Sequence, residues 1–380
     1  MEILKYTKKH FEFREKVREF VKNEIIPFAD KWEKDRLVPK SVWIEMGKKG
    51  FLCPTIAPEY GGPGLDFLYS VIIAEETSKS NQSGLGAVLH SDIVVPYIER
   101  YATEEQKKKY LPKCVTGEII TAVGMSEPGA GSDLAAMVTT ATEEGDEVVI
   151  TGSKIFISNG INCDLIVIAA KDISVKNPYK AISMYLVEAS TPGFEKANKL
   201  DKMGLYSQDT AELFFSKCRV PKENLLGKKG GGFNILMDKL QQERLVVSIQ
   251  SIAAVEYVLE QTIEHCKTVS VSGKPISKSQ AVQFALVEMA TEVKIARTFI
   301  DKLIADHMEG KNVIIETSMA KFWITEMVKR VVDRCIDLFG ESAMLNDSNI
   351  ARAWRDVRVM LIVAGTNEIM KGIIGNFMGL

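Results

Sequence analysis

The short β-rich runs of this chain are grouped in its middle, between two stretches with helical periodicity. In the first stretch, apolar residues recur at spacings of three and four over residues 13–25, and Pro27 is predicted to end the helix. Helical periodicity returns near Phe233 and continues almost to the C-terminus, with breaks at residues 272–275 and 346–347. A doubly wound α/β protein would alternate its strands with helices. The grouping therefore predicts an α+β fold with several domains.

Five runs favour strands because they are rich in aliphatic and β-branched residues and are separated by turn signals. They are Ile119–Val123, Val148–Thr151, Leu165–Ala169, Ala181–Val187 and Ala211–Phe215. We predict an N-terminal helical domain at residues 1–116, a central barrel-like or sandwich β-domain at 117–228 and a C-terminal helical bundle domain at 229–380. Thr103, which two glutamates follow, is predicted to cap a helix.

Composition and charge exclude several functional classes. Lys and Arg number 48 and Asp and Glu number 50, well mixed, so the net charge of −2 leaves no basic face for nucleic acid or anionic membranes. No apolar run approaches the roughly 18 residues of a membrane span, and the charged N-terminus has no signal-peptide core. The six cysteines and four histidines lack the spacing of a disulfide framework or a metal site. We expect a soluble cytoplasmic protein, or a mitochondrial matrix protein if this is a mature eukaryotic chain.

Three segments are candidates for chemistry. The first, Met125–Asp133, holds close-set glycines and serines that can bind phosphate or a flavin edge, although alone it could be a surface turn. Glu243 falls on the apolar stripe of a long helix, so it is either a general base with a raised pKa or the partner of a lysine or arginine. The third segment, Ala364–Ile369, is either a loop between helices or a close approach to a cofactor that requires Gly365.

Together these segments resemble the motifs of the FAD-dependent acyl-CoA dehydrogenases, in the same order and spacing over the whole chain. The matching motifs are AEETSKSN (74–81), TEEQKKKYLP (103–112), SEPGAGSD (126–133), GSKIFISNG (152–160), KMGL and DTAELFF (within 202–215), ERL (243–245), KPISKSQAVQ (274–283), RAWRDVRV (352–359) and GTNEI (365–369). The resemblance implies helical N-terminal, central β- and C-terminal four-helix domains in a homotetramer or homodimer. It also implies an electron-transferring flavoprotein as acceptor.

The resemblance further implies oxidation of an acyl-CoA to the 2-enoyl-CoA, in which a carboxylate removes the α-proton and the β-hydrogen leaves as hydride to flavin N5. Phe156 stands where the family usually has Trp against the flavin, and Ser158 where it has a Thr that bonds N5. The residues expected to contact FAD are Met125, Ser126, Gly131, Ser132, Phe156, Ser158, Gly365, Thr366 and Glu368.

The position of the catalytic base distinguishes subgroups of this family. Most members place a glutamate directly before the Gly-Thr of the C-terminal loop, where this chain has Ala364. Long-chain and isovaleryl-type members instead carry the base on the helix that contains Glu243, directly before an arginine, here Arg244. The resemblance therefore implies Glu243 as the base, Arg244 as a neighbour that tunes it, and the backbone N–H of Ala364 as a donor to the thioester oxygen.

Asp92 introduces an alternative substrate class. It follows His90 and Ser91 on the segment that lines the acyl pocket in the family, where a small or apolar residue is usual. Asp92 is either a helix-start residue, a polar contact to the acyl group, or a second base that reaches a ring carbon. An alicyclic substrate such as a cyclohexane- or cyclohexene-carboxyl-CoA is thus an alternative. The residues expected to contact substrate are His90, Ser91, Asp92, Ser132, Arg244 and Gly365.

Four residues depart from the motifs that reach the FAD of a neighbouring subunit in this family. Val269 and Ser272 replace an arginine and a phenylalanine, and Asp337 and Glu341 replace a glutamine and a glycine. These changes predict weakened FAD binding, a rearranged adenine arm, or a hetero-oligomer whose other subunit supplies the arginine. Further alternatives are an oxidase of acyl groups on a carrier protein and an inactive partner subunit.

Overall fold

The computed structural model describes residues 3–380, and its N-terminal part is helical. The helices are α1 (Lys8–Phe20), α2 (Ala29–Asp35), α3 (Lys40–Lys48), α4 (Phe67–Ser78), α5 (Val95–Tyr101) and α6 (Glu104–Thr116). The prediction that Pro27 ends the first helix is wrong, because a π-helical turn and the 3₁₀ turn Ile26–Phe28 lead directly into α2. The first backbone N–H groups of a helix have no acceptor within that helix, so a proline, which lacks the N–H, loses no bond there. Pro27 lies in such a first turn and therefore does not end the helical course of the chain.

Thr103 caps α6 as predicted. Its hydroxyl accepts the backbone N–H of Gln106 at 3.3 Å, and the Gln106 side chain accepts the backbone N–H of Thr103 at 2.9 Å. This reciprocal capping box satisfies two N–H groups that the helix itself leaves free. Gly117 in a left-handed conformation then ends α6, and the chain passes into the strands.

The central part is one open sheet with the strand order β6-β7-β3-β2-β4-β5-β8, in which β1 also pairs with β4. The strands are β1 (Thr121–Gly124), β2 (Thr140–Glu144), β3 (Glu147–Ile157), β4 (Leu165–Lys171), β5 (Ile182–Glu188), β6 (Phe194–Lys199), β7 (Ala211–Pro221) and β8 (Leu225–Leu226), and a single helical turn, α7 (Pro178–Ala181), precedes β5. The sheet is therefore sandwich-like, and a closed barrel is not formed. Each of the five predicted runs overlaps a strand, whereas β2, β6 and β8 were not predicted.

The C-terminal part contains α8 (Gly232–Thr268), α9 (Gln280–Met308), α10 (Ile314–Phe339), α11 (Asn349–Asp356) and α12 (Asn367–Phe377). Helices α8, α9, α10 and α12 form the predicted four-helix bundle. At the first predicted break, the strands β9 (Ser270–Val271) and β10 (Lys274–Pro275) form a hairpin. Its two-residue loop has φ values of 52° and 76°, as a tight hairpin turn with two left-handed residues requires. No helix within residues 3–380 combines the length and apolarity needed to cross a membrane.

Strand β4 joins the sheet to the helices because both of its faces are buried. Leu165 and Val167 face the large core that the helices share, and Ile166 and Ile168 face the separate core of the sheet. Such burial on both faces explains its continuous apolar sequence. Helix α8 packs against α4 as well as α9 and α10, so the helices from the two ends of the chain share one core.

Candidate active site

Two buried cations bind consecutive carbonyl groups in the turn between α11 and α12. Ala364 and Gly365 have φ values of 58° and 90°, and a Cβ on Gly365 would lie 2.8 Å from the Met370 side chain. Lys321 on α10 donates from Nζ to the Gly365 oxygen at 2.7 Å, and Arg244 on α8 donates from Nε to the Ala364 oxygen at 3.5 Å. Within residues 3–380, no protein group accepts the backbone N–H of Ala364. This N–H is therefore available to a ligand oxygen.

The start of α12 continues this turn. Thr366 caps the helix, since its hydroxyl accepts the backbone N–H of Ile369 at 3.3 Å. Asn367 is buried, and its Oδ1 accepts a second hydrogen bond from Lys321 at 3.0 Å. Glu368 is exposed in the first helical turn. Gly365, Thr366 and Glu368 of this segment were predicted to contact FAD. Of these, Thr366 also caps α12 with its side chain.

Glu243 places a buried and unpaired carboxyl oxygen beside these cations. The residue as a whole is half-buried, but its Oε2 atom is buried and has no hydrogen-bond partner. Burial raises the pKa of Glu243 to about 7, against the opposing effect of Arg244 and Lys321. No salt bridge to Glu243 occurs in the described part of the chain, so the alternative of a simple ion pair is not realised. A carboxyl group with this pKa can accept a proton at neutral pH.

A buried ion pair holds the SEPGAGSD loop in place. Glu127 lies 2.8 Å from the Nζ atom of Lys154, and both residues are buried. The Glu127 carboxylate also accepts the backbone N–H groups of Val138 and Thr139, at 2.6 and 3.0 Å. Burial alone would raise the pKa of Glu127, but Lys154 and these donors lower it. Glu127 therefore links the loop both to strand β3 and to the residues directly before β2.

The end of strand β3 places Phe156, and Ser158 directly after it, next to this loop. The backbone N–H of Ile155 donates to the Ser126 oxygen at 3.0 Å, and Lys154 donates to the Met125 oxygen at 3.2 Å. The register of β3 against β7 shifts between Lys154 and Ile157, and Phe156 has a φ of 60° with a ring that is 68 % exposed. An exposed aromatic residue in a strained conformation is often part of a functional site.

The glycines of the loop leave its outer surface open. A Cβ added at Gly129 or Gly131 would meet no atom within 4 Å, and Ser132 beside them is exposed. Backbone N–H groups in such a turn can approach a phosphate or a flat ring closely. Three of the residues predicted to contact FAD on the β-domain, Gly131, Ser132 and Phe156, are therefore accessible from outside.

Residues 86–92 connect this surface to the helix that carries Glu243. Asn159, next to Ser158, donates to the oxygens of Gly86 and Thr121 at 3.2 Å each, and Gln242 donates to the Asp92 backbone oxygen at 2.7 Å. Among residues 3–380, no hydrogen bond joins the Glu243 group directly to the Phe156 surface. The two groups are thus placed relative to each other through this third segment.

His90 and Ser91 have structural contacts. The Nδ1 atom of His90 accepts the backbone N–H of Thr121 at 3.1 Å, and its Nε2–H donates to the Cys114 oxygen at 3.0 Å. Burial lowers the pKa of His90 to about 4, so the ring is neutral. The Ser91 hydroxyl accepts the backbone N–H of Cys53 at 3.0 Å. These polar groups are already used within the protein, and a substrate contact at either residue stays a prediction.

Asp92 is buried inside the π-helical turn Leu89–Val94 and makes no capping hydrogen bond. Only 3 % of the residue is exposed, and burial raises its pKa to about 7. The Ser70 hydroxyl lies close enough to lower this pKa, yet it does not meet hydrogen-bond geometry and stays unpaired. Neither Asp92 nor Glu243 affects the pKa of the other, so the two carboxyl groups do not act as one coupled pair.

Comparison with known proteins gives the same three-part division. Models of the acyl-CoA dehydrogenase N-terminal, middle and C-terminal domains match residues 7–118, 122–218 and 230–379. The chain is 41 % identical over 370 residues to the mitochondrial long-chain specific acyl-CoA dehydrogenase of Rattus norvegicus, which covers 97 % of this chain and 86 % of the rat protein. It is 34 % identical over 368 residues to the mitochondrial isovaleryl-CoA dehydrogenase of Oryza sativa subsp. japonica, covering 96 % of this chain and 90 % of that one.

The crystal structure of an acyl-CoA dehydrogenase from Geobacillus kaustophilus matches with a TM-score of 0.97 and 51 % identity over 99 % of both chains. Fold and sequence thus define an oxidoreductase with a β-domain between two helical parts. The chain belongs to the acyl-CoA dehydrogenase family. The predictions of this family and of an oxidoreductase are confirmed, and FAD is confirmed as the cofactor at the level of the family.

Sequence reasoning missed three residues of the site. Glu127 and Lys154 lie in quoted motifs, but nothing in either motif indicated that they pair. Lys321 belongs to none of the quoted motifs. The one feature that could have indicated it is its position on the apolar side of a long helix, where Ala320 and Ile324 are buried beside it. A lysine in that position is rarely buried without a function.

Replacing Glu127 by alanine should destabilise the protein by about 3–5 kcal/mol, because Lys154 then stays buried without its partner. The midpoint of urea unfolding measures this change. The matched control is Glu195→Ala, at an exposed position of β6, which should change stability by less than about 0.5 kcal/mol. Equal stability of the two variants would show that the ion pair does not hold the loop.

Proposed function

We propose that this protein oxidises an acyl-CoA thioester to the 2-enoyl-CoA, with Glu243 as the base that removes the α-proton. The observation that carries the proposal is the buried, unpaired Oε2 atom of Glu243, with a pKa of about 7, beside the Ala364–Gly365 turn. Ala364 has no side chain that could accept a proton, so the loop position used by most members of the family cannot serve here.

The chain's own groups can move the α-proton as follows. Arg244 and Lys321 favour the ionised form of Glu243, which then accepts the proton. The backbone N–H of Ala364 would donate to the thioester oxygen and stabilise the negative charge that develops there. As the proton reaches Glu243, negative charge moves from its carboxylate to the thioester oxygen. Arg244 and Lys321 compensate the charge of the carboxylate before the transfer, and the Ala364 N–H would stabilise the charge on the oxygen after it.

FAD, when bound, supplies the acceptor for the β-hydrogen, and the residues present fit this group. The open surface at Gly129 and Gly131, the exposed ring of Phe156 and the half-buried Ser158 leave room for a flat ring and phosphates. On the β-domain, Met125, Ser126, Gly131, Ser132, Phe156 and Ser158 would hold the cofactor. On the helical side, Gly365, Thr366 and Glu368 would do so.

For the acyl group we infer a long-chain substrate, with a branched short-chain acyl-CoA as the next candidate. The position of the base on α8 supports both types. The identity of 41 % to the rat long-chain enzyme, against 34 % to the rice isovaleryl-CoA dehydrogenase, favours the first. An electron-transferring flavoprotein is the acceptor that we propose, by resemblance to the family. An acyl group on a carrier protein is the alternative form of the substrate.

Glu243→Gln should lower kcat by about 10²–10⁴-fold, because the amide keeps the shape of the side chain but accepts no proton. Anaerobic titration with palmitoyl-CoA and isovaleryl-CoA should no longer bleach the flavin absorbance, while the FAD content stays unchanged. In the unchanged protein, kcat/KM should fall as the pH drops through about 7, because protonated Glu243 cannot act as a base.

The matched control for this test is Glu260→Gln, at an exposed position on the same helix, which should behave like the unchanged protein. Flavin bleaching that persists in Glu243→Gln would remove Glu243 as the base. Asp92 would then be the next residue to test, since burial also raises its pKa to about 7.

A second candidate function is dehydrogenation of an alicyclic or polar acyl-CoA, and the burial of Asp92 favours it. A carboxyl group without a hydrogen-bond partner is costly to bury, so a helix-start function does not explain this residue. If Asp92 serves a ring substrate, Asp92→Gly should lower the ratio of cyclohexanecarboxyl-CoA to palmitoyl-CoA turnover at least about tenfold, a loss of roughly 1.4 kcal/mol of selectivity. An unchanged ratio would eliminate this candidate.

The four departures in the cross-subunit FAD motifs lie on the protein surface. Val269 is 38 % exposed, Ser272 lies in the tight hairpin turn, and Asp337 and Glu341 are exposed. A neighbouring subunit can therefore reach all four. The two acidic groups would repel the pyrophosphate of a neighbouring FAD, and the missing arginine would leave that pyrophosphate without a cationic partner. Weak FAD binding by the homo-oligomer is the explanation that we propose.

The double variant Val269→Arg/Glu341→Gly should bind FAD more tightly, with a Kd at least about tenfold lower, because it restores a cation and removes an anion. Flavin fluorescence during titration of the apoprotein measures the Kd. The control is Ile173→Arg, which adds the same charge at a site that is 75 % exposed on the β-domain. An unchanged Kd in the double variant would favour a hetero-oligomer or a rearranged adenine arm.

A further inference from the structure

We propose that Lys321 is a positioning residue of the reaction. It holds the Ala364–Gly365 turn so that the Ala364 N–H points toward the thioester oxygen, and it keeps a positive charge next to the base. This inference rests on the proposed function, because it takes Glu243 as the base. Lys321 itself has no bond to a reacting atom.

The contacts of Lys321 are unusual for a buried lysine. Its side chain has no exposed surface, and its Nζ donates to the Gly365 oxygen at 2.7 Å and to the Asn367 Oδ1 atom at 3.0 Å. Within residues 3–380, no carboxylate forms a salt bridge with it. Buried ammonium groups normally have an anionic partner, since the loss of hydration is otherwise poorly compensated. The positive charge at Lys321 is therefore retained at a cost, which packing alone does not explain.

The turn that Lys321 binds needs external support. Ala364 has a φ of 58°, a left-handed conformation that a residue with a Cβ adopts only where its surroundings enforce it. Lys321 and Arg244 bind the two consecutive carbonyl oxygens of this turn. Asn367 is fixed in turn by Thr325, which lies one helical turn beyond Lys321 on α10. The backbone orientation at Ala364 thus depends on α8 and α10 rather than on its own loop.

The charges around Lys321 come from three helices. Arg244 and Glu243 face it from α8, and Glu368 faces it from α12. Burial and Arg244 lower the pKa of Lys321 to about 8, against the opposing effect of the two glutamates. Around Glu243, Arg244 and Lys321 lower the pKa, and Tyr97 on α5 is near enough for Glu243 to raise the pKa of its phenol. Loss of the Lys321 charge must therefore raise the pKa of Glu243.

The experiment compares Lys321→Met, which removes the charge at similar volume, with Lys321→Arg, which keeps it. In the FAD-loaded enzyme, kcat and KM are measured from pH 5.5 to 9.5 with palmitoyl-CoA. For Lys321→Met we expect kcat to fall at least about tenfold with a much smaller change in KM, since a misplaced oxyanion donor acts mainly in the transition state. The acid limb of kcat/KM should also move to higher pH, as expected for a base that has lost a neighbouring cation.

Lys321→Arg should recover most of kcat and keep the acid limb of the unchanged protein. Its alkaline limb should move beyond the measured range, because arginine does not lose its proton there. The matched control is Lys371→Met, which removes a half-exposed lysine of α12 and should change neither kcat nor the acid limb. If Lys321→Met does not fold, Lys321→Gln replaces it, since the amide can still donate to Gly365 while the charge is lost.

An acid limb and kcat that are unchanged in Lys321→Met would overturn the proposal. Equal losses in Lys321→Met and Lys321→Arg with an unmoved acid limb would also overturn it, because a purely structural residue behaves in this way. Both outcomes leave the proposed function intact as long as Glu243→Gln is inactive. An active Glu243→Gln variant would instead refute the proposed base itself.

Discussion

Helix α8 packs against helices from both ends of the chain, and this packing determines where the ionisable groups of the site can lie. It contacts α4 from the N-terminal part and α9 and α10 from the C-terminal part. The Oε2 atom of Glu243 and the side chain of Arg244, in the N-terminal half of α8, are buried there. Burial in this environment raises the pKa of Glu243, and the two nearby cations, Arg244 and Lys321, partly offset that effect. The SEPGAGSD loop and residues 86–92 need only approach the proposed base, whose protonation the helix packing has already set.

The parts of the site that sequence reasoning identified depend on local patterns. The apolar stripe that Glu243 interrupts and the absence of a carboxylate at Ala364 are each visible within one short segment. Together they support Glu243 as the proposed base. The same holds for the individual strands and for the Thr103 cap, each of which depends on residues at most a few positions apart. Periodicity and capping are local properties, so they can be recognised without knowledge of the tertiary structure.

The parts that were missed depend on distant partners or on tertiary context. Glu127 and Lys154 are separated by 27 positions, and Lys321 and Gly365 by 44, so neither pair has a local signature. Strand β6 is an edge strand with several charged side chains, which natural sheets use to prevent further pairing, and such a sequence does not alternate clearly. Pro27 misled the prediction because a proline stops a helix only when it lies inside one.

The proposed base and the proposed oxyanion donor lie on different elements, Glu243 on α8 and the Ala364 N–H in the turn before α12. Where one glutamate provides both groups, any substitution changes proton transfer and charge stabilisation at once. Here the donor is a backbone group that tolerates changes of its side chain, as long as the turn is kept. Natural selection can therefore alter the size of residue 364, and with it the room beside the reacting carbons, without losing the base. The separation makes this active site more evolvable than one built on a single residue.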